Sequence, residues 1–110
     1  MKKIEAIVRP EKFEEIKTAL EGAGCADIMV TDLHNHGLQK GMVQFWRGRE
    51  VRVGQPMVKL EVAVADYVAP KLVQMIQVKA SVTGMDSGKI FVTQVDEDFL
   101  IGAVEYKAAV

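Results

Sequence analysis

The chain has 110 residues, 49% hydrophobic and 26% charged, with 14 basic against 15 acidic side chains and a net charge of −1. A chain of this length folds as one domain that buries only about two thirds of its unfolded surface, so an interface with further copies is a natural supplement. The near-neutral balance gives no argument for a polyanion-binding surface, so nucleic acid is not expected as a partner, the single cysteine, Cys25, excludes an internal disulfide, and no apolar run approaches the roughly 18 residues of a membrane span.

The opening Met1-Lys2-Lys3-Ile4-Glu5-Ala6 lacks the apolar run of a secretory signal, and a cytoplasmic protein is expected. Across residues 3–9, Ile4, Ala6 and Val8 alternate with Glu5, Ile7 and Arg9, the period of a strand, which Pro10 ends. Residues 11–23 carry Phe13, Ile16, Leu20 and Ala23 at helical spacing, and Gly22 and Gly24 close that helix. Alternation returns over 27–33, with Ile28 and Val30 opposed to Met29, Thr31 and Leu33. From 34 to 56 glycines, a proline and three arginines break the pattern, and a loop of this length in a small domain is usually functional or mobile. Residues 57–64 form a strand with Val58, Leu60, Val62 and Val64 on one face. A second helix covers 67–81, with Val68, Leu72, Val73, Ile76 and Ala80 inward and Pro70 tolerated in its first turn. The last long strand is 89–93.

The order β-α-β-β-α-β implies an α+β ferredoxin-like fold, an antiparallel four-stranded sheet with both helices on one face. The other face would carry Glu5, Ile7, Met29, Thr31, Leu33, Ala63, Phe91 and Thr93, too apolar in part to face water, so burial against other copies in a closed oligomer is expected.

Two remote segments combine glycines with basic or amide side chains: His36-Gly37-Leu38-Gln39-Lys40-Gly41 and Gly88-Lys89-Ile90-Phe91-Val92. Glycine backbone approaches an anion closely and offers N–H groups to it, and a lysine adds a point charge. Gly84-Met85-Asp86-Ser87-Gly88-Lys89 is one residue short of a Walker loop and has Ile90 where Ser or Thr is needed, so NTPase chemistry is not expected. His34 and His36 have no visible co-ligands, and no metal site is expected. Cys25 reads as a structural thiol.

These segments, together with Met1-Lys2-Lys3-Ile4-Glu5-Ala6-Ile7-Val8-Arg9-Pro10, Trp46-Arg47-Gly48, Val58-Lys59-Leu60-Glu61 and Thr83-Gly84, resemble in order and spacing the PII signalling proteins of nitrogen regulation. The resemblance covers most of the chain and makes residues 1–110 a single PII-like domain with a long loop at about 35–56. It implies a homotrimer with adenine-nucleotide sites between subunits, ADP or ATP as effector, and a loop that acts on a membrane transporter or metabolic enzyme. It maps adenine contacts onto Ile7, Ile28, Met29, Val62 and Ala63, and phosphate contacts onto Gly37, Leu38, Gln39, Ser87, Gly88 and Lys89. Trp46, Arg47 and Arg49 would anchor the loop on its partner, although Trp46 also fits a core residue and the arginines solvated charges.

Four departures bear on the effector. Leu100 and Gly102 stand where the family carries a phosphate-clamping arginine pair, Leu38 where it carries a basic residue, and Met57 where a lysine meets 2-oxoglutarate. Each lost charge-assisted contact removes roughly 1.5–3 kcal/mol, so weak triphosphate binding and no ordinary 2-oxoglutarate response are expected, and a role for magnesium stays open. Val51 replaces a modified loop tyrosine, which removes that covalent switch. A small phosphate-handling enzyme using Arg9 or Lys89, and a trimeric scaffold with a decayed nucleotide site, are the alternatives.

Overall fold

The computed structural model describes residues 1–36, 43–52 and 54–102, with the backbone alone at 43–46 and 50–52. In chain order the elements are β1 (Lys2–Val8), α1 (Phe13–Gly22), β2 (Met29–Asn35), β3 (Val43–Trp46), β4 (Arg49–Arg52), β5 (Gln55–Val64), α2 (Ala69–Ala80) and β6 (Gly88–Gln94). Four strands form one antiparallel sheet in the order β2-β5-β1-β6, the ferredoxin-like arrangement expected from the sequence.

Register follows from which residues seek the core. Ile4 lies opposite Val62 and Val92, and Ala6 opposite Leu60 and Ile90, so one face of β1 and β5 is apolar along its length. Ile4, Ala6, Val8, Val58, Leu60 and Val62 form one buried cluster with Ile16 and Leu20 of α1 and Leu72 and Ile76 of α2. Both helices therefore cover the same face of the sheet. Pro10 opens a 3-10 turn, Pro10–Lys12, in which the Lys12 N–H donates to the Arg9 carbonyl at 3.0 Å. The proline φ suits a first turn but delays the α-helix to Phe13, later than the apolar spacing indicates. The far end of α1 closes through Gly24 at φ +94, while the Cys25 N–H donates to the Leu20 carbonyl at 3.0 Å. Burial pushes the Cys25 thiol up from its ordinary pKa, in keeping with a structural thiol.

Two expectations need correction. The span 34–56 is not without regular structure: β3 and β4 pair as a hairpin, with Trp46 opposite Arg49. The two connecting residues, Arg47 and Gly48, have φ of +52 and +74, the backbone of a type I′ turn, whose twist matches that of the flanking strands. Arginine rarely occupies the first of these positions, which hides the hairpin from a search for Asn-Gly or Asp-Gly. The open face of the sheet is also more polar than expected. Glu5 and Glu61 sit directly opposite one another, a repulsive pairing relieved by Lys3, 3.1 Å from Glu5, and Lys59, 3.1 Å from Glu61. Its hydrogen bond to Glu5, with the Glu5 charge second, raises the Lys3 pKa. The apolar members Met29 and Phe91 flank this charged centre and are exposed.

Candidate functional site

The turn from α2 into β6 is built by short side chains. The Ser87 hydroxyl oxygen accepts the Val82 N–H at 2.8 Å, and the Asp86 carboxylate accepts the Gly88 N–H at 3.0 Å. Such local bonds give the backbone an alternative to extending the helix. Gly88 enters β6 at φ +119, opposite Val8, and a Cβ there would fall inside the van der Waals envelope of the Ile7 carbonyl oxygen. Only glycine fits this approach.

Arg9 ties this turn to the other end of the long loop. Its Nε donates to the Asp86 carbonyl at 2.8 Å, and the Gln55 amide, assigned with its oxygen toward the guanidinium because Arg9 offers only donors, accepts from Nη1 at 2.8 Å and Nη2 at 3.3 Å. Gln55 opens β5 directly after Gly54, where φ is +75 and the His36 imidazole packs close over the Cα. Arg9 is 8% exposed, the buried charged residue among the described positions.

The expected nucleotide residues fall into two groups. Ile7, Ser87, Gly88 and Lys89 line one pocket with Ile76 and Ala80, of about 170 Å³. Ile7, grouped with the adenine contacts by resemblance, thus stands beside Lys89, which the same resemblance groups with the phosphate contacts and which is its strand partner. Met29 and Ala63 lie elsewhere, Met29 on the edge strand β2 and Ala63 on β5 opposite Lys3. The β2 and β6 edges are three strand spacings apart, roughly 14 Å. Ile28 packs against the core, and Val62 is buried within it, its side chain turned away from the open face. Gly37, Leu38 and Gln39 lie outside the described residues. Arg47 and Arg49 are exposed at the hairpin turn, and Trp46 ends β3 with its side chain outside the described set. Among the described residues no cluster of histidine, cysteine or carboxylate side chains could hold a metal ion.

A family model described as nitrogen regulatory protein P-II matches residues 1–101. The chain belongs to the P-II family. It is 43% identical over 98 residues to nitrogen regulatory protein P-II 2 of Methanothermobacter thermautotrophicus, covering 88% of this chain and 85% of that one. The P-II proteins of Azospirillum brasilense and Rhizobium meliloti are each 43% identical over 98 residues, covering 88% of both chains. These relatives are named for regulation. The ordered motifs of the sequence are therefore those of a P-II chain, and its departures are departures within P-II. Leu100, 81% exposed, and Gly102, at φ +85, carry no cationic side chain. Met57 is 3% exposed, outside the main core cluster, and offers no charge to a carboxylate.

The sequence reading missed Arg9 as a junction, along with its acceptors Gln55 and Asp86. The available signal was an arginine at a strand end before proline, where the preceding residue is held extended; Arg9 has ψ of 142°. Nothing in the sequence reveals that its two acceptors come from segments 31 residues apart, at 55 and 86.

Proposed function

We propose that this P-II chain is a cytoplasmic adenine-nucleotide sensor whose site is completed between copies in a trimer, and that its long loop passes the nucleotide state to a membrane transporter or metabolic enzyme. One observation carries the reading: Gly88 and Lys89 of one mapped group lie on the edge strand β6 and Met29 of the other on the opposite edge strand β2, with Ile7 and Ala63 on the central strands between them. A single copy offers only about 170 Å³ beside Lys89, less than the roughly 300–1,000 Å³ of a ligand pocket. The β2 edge of a second copy, laid against β6 of the first, supplies the missing wall. The apolar side chains of Phe99 and Ile101, 82% and 97% exposed, support association, because large apolar groups so close together are rarely left to solvent.

Phosphate would be met by Lys89 and by the Gly88 N–H. That amide is held by the Asp86 carboxylate, so an incoming phosphate oxygen replaces one anionic acceptor with another. This exchange, and the absence of cations at Leu100 and Gly102, favour weak binding of ADP or ATP. The buried Met57 leaves a 2-oxoglutarate carboxylate without a partner, which disfavours the usual P-II response. The enzyme alternative loses one of its two candidate phosphate residues, because Arg9 is buried and engaged by Asp86 and Gln55, and keeps only the exposed Lys89.

Calorimetry with ADP and ATP, each with and without magnesium and 2-oxoglutarate, tests the proposal. Dissociation constants between about 1 µM and 1 mM, corresponding to roughly −8 to −4 kcal/mol, are expected, with no gain from 2-oxoglutarate. No heat with either nucleotide would leave a scaffold without a working site.

A further inference from the structure

We infer that Arg9 is a positioning residue that couples the turn carrying Gly88 and Lys89 to the start of β5, so that a shift in the anion-facing turn is felt at the root of the long loop. The inference has a ligand-free half, and a ligand-dependent half that rests on the proposed nucleotide role.

A guanidinium keeps its charge at any ordinary pH and presents its N–H donors in a rigid planar fork. In Arg9 that fork is divided. Nε faces the Asp86 carbonyl at 2.8 Å, and the two terminal nitrogens face Gln55 at 2.8 and 3.3 Å. With the side chain 8% exposed, an acceptor that moves away leaves a buried donor unsatisfied. The two acceptors are thus held at a fixed separation by one inflexible group, although they lie 31 residues apart in sequence, 55 against 86. Lysine, with a single ammonium on a flexible stem, would not impose that geometry.

Asp86 faces both ways. Its carbonyl is the Arg9 acceptor and its carboxylate holds the Gly88 N–H. An anion that takes the Gly88 amide displaces the carboxylate from it and shifts the Asp86 peptide. Arg9 follows that carbonyl and draws on Gln55. Gln55 is joined to Gly54, over which the His36 ring lies, and pairs with Asn35 of β2, so both chain segments entering the long loop meet at this point. Coupling of this kind is reciprocal: whatever fixes Gln55 also steadies the Gly88 turn.

The test uses the full chain and Gln55→Leu, which removes the acceptor and keeps bulk, with Gln55→Glu as the variant that retains an acceptor. Amide hydrogen exchange at Asp86, Ser87 and Gly88 is followed by NMR without ligand. Losing one charge-assisted bond predicts exchange about tenfold faster at these amides in Gln55→Leu, near the original rate in Gln55→Glu, and no change at Leu60 or Ile76. Unchanged rates at 86–88, equal acceleration in both variants, or acceleration spread through the core would overturn the inference. With ADP added, the His36 ring resonances shift in the original chain and not in Gln55→Leu; a full shift in Gln55→Leu also overturns it. Should the original chain bind no ADP, the nucleotide proposal fails, and the ligand-free rates decide the role of Arg9 by themselves.

Discussion

Gly88→Ala is expected to destabilise the fold by about 3–5 kcal/mol, among the largest effects of any single substitution in this chain. Two costs combine. The backbone at Gly88 has φ +119, outside the regions open to an L side chain, and the added Cβ would collide with the Ile7 carbonyl. Neither cost can be relieved locally, because Ile7 lies in β1, the strand paired on both sides within the sheet. Relief requires β6 to separate from β1 where Lys89 stands, so the proposed anion binding is expected to be lost with stability. Gly84→Ala provides the control: Gly84 has φ +75 with nothing within 4 Å of the added carbon, and about 1 kcal/mol is expected from conformation alone. Urea unfolding of both variants checks this, with the midpoint moving far more for Gly88→Ala and the slope unchanged. Equal shifts would mean that the contact with Ile7 is not restrictive.

Leu100→Arg is expected to strengthen ATP binding by roughly 10- to 100-fold. A charge-assisted bond to phosphate contributes about 1.5–3 kcal/mol, and every 1.4 kcal/mol is about tenfold in affinity. Leu100 is 81% exposed, so the fold tolerates the change to within about 0.5 kcal/mol. Gly102 is the poorer site for restoring a cation, because its φ of +85 strains any other residue. The gain should be larger for ATP than for ADP and should shrink with salt, and Leu100→Gln, which adds polarity without charge, should give little of it. ATP affinity unchanged in Leu100→Arg would place residue 100 away from the phosphates.

The sheet and its core were legible because burial on one side leaves a periodic trace. Ile4, Ala6 and Val8 alternate, and Ile16, Leu20, Leu72 and Ile76 recur at helical spacing, so the order of elements and the inward residues could be read directly. The hairpin at 43–52 left no such trace, since its turn uses Arg47-Gly48 and its strands have four residues each. The open face was read as apolar from Ile7, Met29 and Phe91, but cross-strand register brings Lys3, Glu5, Lys59 and Glu61 to its centre. Register is a pairing property that no single strand displays. At the site, Gly88 and Lys89 were visible as a glycine beside a cation. The junction at Arg9 was not, because its meaning lies in two acceptors that only the fold brings together.

The central claim, that two copies each supply one wall of the nucleotide site, is tested most directly by complementation. Lys89→Ala removes the cation from the β6 wall, and Ala63→Trp fills the wall near β2; both positions are exposed, so the fold should survive each change. Each variant alone is expected to bind ADP poorly. Unfolded together and refolded as mixed oligomers, they should regain binding at those sites where an intact Lys89 from one copy meets an intact Ala63 from another. Recovery of ADP heat in the mixture is the predicted result, and a mixture no better than its two components would contradict the account.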